Sequence, residues 1–133
     1  CTTSPAWWPV MLDALSKAAQ LQRQAAAKGF DWPELDGVWA KVREELNELE
    51  QAGDDTAARY EELGDLLFAI VNLARHLKVE PTDAMIAANA KFERRFAYVE
   101  DAMAAAGKTL CAENLAAMDA AWDQAKAEER ERA

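Results

Sequence analysis

Apolar residues recur along this chain at intervals of three and four, and glycine and proline cut that rhythm into five segments. The first follows Pro9, runs to Lys28 and stops at Gly29, after which Phe30, Asp31, Trp32 and Pro33 read as a connector. The second covers about Val38 to Ala52 and stops at Gly53. The third starts near Asp55 or Thr56 and runs to about Val79, with Pro81 just beyond. The fourth begins after Thr82 or Asp83, either of which suits an N-cap, and ends at Gly107. The fifth covers about Leu115 to Arg130 with Asn114 as its candidate cap, and Glu128 to Arg132 predict a solvated, fraying end. No segment alternates with period two. The expected fold is therefore all-α: a helical bundle in one domain over residues 1–133, with the C-terminal helix and its tail at about 115–133. Short connections predict antiparallel neighbours.

Two of these helices carry an unusual pattern. In the third, Leu63, Leu66, Leu67, Ile70, Val71, Leu73, Ala74 and Leu77 cover more than half of the circumference. That predicts a helix in the middle of a bundle or at an oligomer seam. Glu62, Asp65, Asn72 and His76 interrupt it as one narrow polar stripe, and polar groups on a buried helix need partners. In the second helix Trp39, Val42, Leu46 and Leu49 form the apolar stripe, with Glu45 at its edge and Glu48 one step further round. Glu45 and Glu48 stand at i, i+3, and so do Glu62 and Asp65. Side chains so spaced lie about 5–6 Å apart on one helix face. Across a short antiparallel turn, the four carboxylates can converge on one small volume.

The charge balance sharpens that picture. The formal net charge is −9, which excludes a basic surface for a nucleic-acid polymer. Residues 41–65 hold nine acids against Lys41, Arg43 and Arg59, a poor design for ion pairing along a solvated face. Converging carboxylates repel unless a cation sits between them, and hard oxygen donors select Mg²⁺, Mn²⁺ or Ca²⁺. Mg²⁺ usually takes one or two protein carboxylates plus water and phosphate oxygens. A quartet therefore points to more than one ion and to a phosphorylated substrate. The alternative at this level is a charged, solvated helix face.

Other chemistry is weaker. A di-iron bundle needs Glu-x-x-His on two helices, and His76 is the one histidine, with Leu73 three residues before it. One histidine and two distant cysteines do not build a zinc site. His76 reads as a hydrogen-bonded structural residue. Gly107-Lys108-Thr109 resembles the tail of a phosphate loop, but Ala102 stands where that motif needs glycine. Cys111 has no basic surroundings to activate its thiol. Cys1 and Cys111 make no disulfide framework, so free thiols in a reducing cytoplasm are expected; a lipid-modified N-terminal Cys1 is the rival reading. The absent initiator methionine points to a domain cut from a longer chain. No targeting or membrane-spanning segment is recognisable. On the fourth helix Phe92, Phe96, Val99 and Met103 are core by periodicity. Lys91 and Arg95 stand at i, i+4 beside them, placed either to receive a phosphate or to pair with acids. Trp122 on the fifth helix suits either a core or a stacking platform.

The run Glu44-Glu45-Leu46-Asn47-Glu48 followed by Glu61-Glu62-Leu63-Gly64-Asp65 resembles the E-E-x-x-E and E-x-x-D signature of the all-α nucleoside triphosphate pyrophosphohydrolases. The segments Leu63–Ala69, Val71–His76, Asn89–Phe96 and Gly29–Pro33 are similar to the MazG branch, in particular its C-terminal domain, and the likeness runs from about Leu12 to Lys126. The resemblance implies Mg²⁺-dependent hydrolysis of nucleoside triphosphates to the monophosphate and pyrophosphate, with several bases accepted and nucleotide-pool house-cleaning as the role. Mn²⁺ is the alternative ion. It implies Glu45, Glu48, Glu62 and Asp65 as metal ligands in the catalytic centre, Lys91 and Arg95 on the substrate phosphates, Trp122 at the nucleotide, and a homodimer that completes the core. Glu44 or Glu61 would be an outer base. The connector between the two acidic motifs is a few residues shorter than in that branch. The competing function is a catalytically silent helical interaction or dimerisation module.

Overall fold

The computed structural model describes residues 8–133, with side chains from residue 14 onward. Cys1 and the expectations attached to it lie outside the described residues. All five predicted segments are helices: α1 (Trp8–Ala27), α2 (Leu35–Gln51), α3 (Thr56–His76), α4 (Pro81–Ala105) and α5 (Leu115–Arg132), with a 3₁₀ turn over Ala112–Asn114 before α5. No strand occurs among the described residues. No described helix is long and apolar enough to cross a membrane.

The helix ends follow from local chemistry, and some differ from the sequence expectation. Asp55 is the cap of α3, its Oδ1 accepting from the Ala58 N–H at 3.1 Å. Such a cap contributes about 1 kcal/mol. α2 starts at Leu35, a turn earlier than the apolar rhythm indicated, because Glu34 holds the extended conformation of an N-cap directly after Pro33. α4 starts at Pro81 itself rather than after Thr82 or Asp83. Proline needs no hydrogen-bond acceptor at the first helical position, and its fixed φ suits that position. Asn114 stands at the N-cap position of α5 as expected, but its side chain makes no cap hydrogen bond; its amide instead donates to the Thr109 carbonyl at 2.8 Å and closes the preceding loop. α5 runs on through Arg132, and Glu128 and Glu129 are half-buried rather than frayed into solvent.

The chain divides into two compact units, the first ending at Ala84 and the second spanning Met85–Ala133. In the first, α2 and α3 form a close pair across a turn in which Gly53 takes φ 58°, a conformation open to glycine without steric cost. α1 packs on α3. Ala19, Val38, Ala69 and Val71 are its buried apolar residues. Leu63, Leu67, Ile70 and Leu77, expected to be central, are 43–48% exposed. In the second unit Val99, Met103 and Ala125 are buried, whereas Phe92 and Phe96, also expected in the core, are exposed. Phe92 stacks on Phe96 with ring centres 5.8 Å apart and lies tilted against Trp122 at 5.4 Å.

Candidate metal centre

Two turns of α2 and the start of α3 supply the acids. Glu45 is on the face of α2 that meets α3 and is 5% exposed, so a carboxylate sits in the seam of the helix pair. Glu48 follows one turn later, and Glu62 comes across from α3. One carboxylate oxygen from each of Glu45, Glu48 and Glu62 lies within 4.8 Å of the others. Asp65, one turn along α3 from Glu62, is outside that trio and more exposed. It lines the same cavity as Glu45, and its charge acts on Glu62.

The electrostatics are those of a centre awaiting positive charge. Burial raises the pKa of Glu62 above the usual glutamate value, and Glu48, Asp65 and Glu45 push it further in that direction. Glu45 Oε2 and Glu62 Oε2 are buried without a hydrogen-bond partner. Unpaired buried carboxylate oxygens are costly. A hard divalent cation would satisfy both at once, so the donor set fits one. Lys41 supplies the only positive charge among the described contacts to this trio, with its Nζ 2.9 Å from Glu45 Oε1 and 3.5 Å from Glu44 Oε2. The Glu45 carboxylate holds the Lys41 ammonium in its charged form, above the usual lysine value. Lys41 stands one turn before Glu45 on α2; the i, i+4 spacing was the available signal for it, and the sequence reading counted it only as a charge.

Next to the acids, a cavity of about 700 Å³ opens between α1, the 30–32 connector and α3. Leu21, Phe68 and Ala69 give it an apolar side, Trp32 and Phe30 an aromatic one, and Lys41, Glu45 and Asp65 line it as well. A polar network frames it. Asp31 Oδ1 accepts from Arg75 Nη2 at 2.7 Å and from the backbone of Trp32 at 2.8 Å, and lies 2.9 Å from His76 Nε2. Arg75 Nη1 donates to Asp31 Oδ2 at 3.1 Å, and Arg75 Nη2 also donates to Asn72 Oδ1 at 2.7 Å. The Arg75 guanidinium, with smaller help from His76, holds the Asp31 carboxyl far below the usual carboxylate range. His76 is thus the hydrogen-bonded structural residue its isolation suggested. The Asp31–Arg75 pair joins positions 44 apart and leaves no periodic trace.

The remaining candidates are in the second unit. Lys91 is exposed on α4. Arg95 is engaged by Glu129 of α5, with Nε 3.1 Å and Nη2 2.9 Å from Glu129 Oε2. The guanidinium also lies 5.6 Å from the centre of the Trp122 ring. Arg95 holds Glu129 below the usual glutamate pKa, with smaller contributions from Arg94 and Lys91. Trp122 is half-buried against Phe92 and Arg95, combining a packing contact with a cation–π contact.

No family model matches the chain. A nucleoside triphosphate pyrophosphohydrolase of Escherichia coli (strain K12) is 46% identical over 125 residues, which is 91% of this chain and 48% of that protein. The nucleoside triphosphate pyrophosphohydrolase/pyrophosphatase MazG of Thermotoga maritima is 41% identical over 116 residues, 87% of this chain and 45% of that one. The uncharacterized protein YabN of Bacillus subtilis (strain 168) is 46% identical over 69 residues, 52% of this chain and 14% of its own length. This chain spans about half the length of the first two relatives.

Proposed function

We propose that this chain, which belongs to the MazG family of nucleoside triphosphate pyrophosphohydrolases, cleaves nucleoside triphosphates between the α- and β-phosphates, releasing the nucleoside monophosphate and pyrophosphate. The observation that carries the reading is the trio of buried Glu45 and half-buried Glu48 and Glu62, two of whose oxygens are buried with no partner within the protein. These residues, with Asp65, would hold Mg²⁺. Bound there, the ion would supply Lewis-acid polarisation of phosphate oxygens.

The chain's own residues do the rest. Glu45 and Glu62 fix the donor oxygens in a seam with little access to water, where electrostatic interactions are stronger than in bulk solvent. Lys41 neutralises Glu45 when no cation is held and gives it up to a cation of higher charge. Lys91 and Arg95 bind oxygens of the β- and γ-phosphates and stabilise the charge that develops on the leaving pyrophosphate. Arg95 must exchange Glu129 for phosphate to do so. Trp122 contacts the nucleotide. Broad base acceptance, a house-cleaning role in the cytoplasm and a homodimer belong to the same proposal. The exposed Leu63, Leu67 and Ile70 of α3 support the dimer.

The test is a product assay with the four common triphosphates and Mg²⁺. Equimolar monophosphate and pyrophosphate is the expected result, and Glu45→Gln should lower the rate by about two orders of magnitude or more with the helical content unchanged. A Glu45→Gln variant as active as the parent, or orthophosphate as the first product, would remove the acidic trio from the reaction.

A further inference from the structure

Arg95 of α4 already holds an anion, and that anion belongs to the chain itself. Glu129 Oε2 accepts from Arg95 Nε at 3.1 Å and from Arg95 Nη2 at 2.9 Å, so one carboxylate oxygen closes on one edge of the guanidinium. Phosphate oxygens use the same pairs of guanidinium N–H groups, and a carboxylate is the nearest match to phosphate among side chains. The positive charge extends past Arg95, since Arg94 and Lys91 also act on the Glu129 carboxyl. Glu129 is thus the resident anion of a cationic patch. The two partners are held unequally. The Arg95 guanidinium lies on the Trp122 ring, 5.6 Å from its centre, and Phe92 backs that ring at 5.4 Å. The Arg95 side chain is 16% exposed and that of Glu129 34%. When the pair opens, the carboxylate is the member that can swing into solvent, and the guanidinium stays against its aromatic support.

We infer that Glu129 is a built-in competitor for phosphate: its carboxylate fills the Arg95 site in the free chain, leaves when the phosphate tail arrives, and returns as pyrophosphate departs. The inference rests on the triphosphate reading above, because Arg95 meets a phosphate only in that reading. Substrate and pyrophosphate must both displace the same carboxylate, so it weakens the two by one factor and favours departure of the product. A partly exposed ion pair sets that factor at about five-fold.

Glu129→Gln keeps the shape of the side chain and removes its charge. On the full chain with Mg²⁺ it should lower KM for ATP and Ki for pyrophosphate by the same factor of about five, with the single-turnover rate at saturating ATP unchanged. Glu131→Gln makes the same change of charge two residues further along α5, at an exposed position, and should leave both constants within about two-fold of the parent. A raised KM in Glu129→Gln would mean that Glu129 steadies Arg95 for the substrate, and would overturn the inference. Equal falls in the two variants would overturn it as well, since net charge alone would then account for them. So would an unchanged KM and Ki. Calorimetric Kd values for inorganic tripolyphosphate with Mg²⁺, measured on the parent and both variants, need no turnover. If the parent cleaves no triphosphate, the proposed reaction fails. A lower tripolyphosphate Kd in Glu129→Gln alone would still support competition at Arg95, and equal values in all three proteins would overturn it.

Discussion

Glu62 carries a carboxyl group that its surroundings push toward the protonated form: burial first, then Glu48, Asp65 and Glu45. Its folded-state pKa lies above its unfolded one, so the folded chain binds that proton more tightly. Stability from this group is present at low pH and is lost as pH rises from the ordinary glutamate value of about 4.3 through the raised one. Metal-free protein should therefore lose thermal stability over that interval. Glu62→Gln should flatten the slope and raise the metal-free melting temperature, while abolishing the further rise that millimolar Mg²⁺ or Mn²⁺ gives the parent protein. A parent melting curve indifferent to both ions would speak against the carboxylates as a cation site. The spacing of Glu45, Glu48 and Glu62 on two helices was readable from sequence because helical periodicity fixes which side chains share a face. The pairing of Arg95 with Glu129 was not readable, since the two stand 34 positions apart on different helices.

Five helices were legible because glycine, proline and the apolar rhythm act locally. What differed was what a neighbour decides: Pro81 initiates α4 rather than preceding it, and the Asn114 side chain, at the N-cap position of α5, bonds the Thr109 carbonyl rather than a helix N–H. The connector over residues 30–33 shows the same limit. It read as a linker, yet Asp31 ties it to the C-terminal turn of α3 through Arg75 and His76. Asp31 is held well below its unfolded pKa, so its contribution is complete above the unfolded value of about 3.9 and is lost as pH falls through the folded one. Asp31→Asn should cost about 1 kcal/mol in urea unfolding at neutral pH, because the pair is partly solvated and water screens it. It should also make stability less steep in the acid range. Equal acid profiles for the variant and the parent would mean that the Arg75 contact does not anchor the connector.

At the scale of the whole molecule, the apolar stripe of α3 is the feature that sequence and structure read differently. Periodicity marked Leu63, Leu67 and Ile70 for a centre or a seam, and a single chain leaves them about half exposed. A second copy covering that stripe accounts for both. Light scattering after gel filtration should give twice the chain mass, and Leu67→Glu should halve it. A parent protein that runs as a monomer at micromolar concentration would remove the dimer from the account. The central claim, that acids on α2 and α3 serve the cleavage of a triphosphate at its α-phosphorus, is tested most directly by hydrolysis of ATP with Mg²⁺ in ¹⁸O-labelled water, followed by mass analysis of both products. The account predicts one labelled oxygen in the nucleoside monophosphate and none in the pyrophosphate. Label in the pyrophosphate, or release of orthophosphate in place of pyrophosphate, would contradict it.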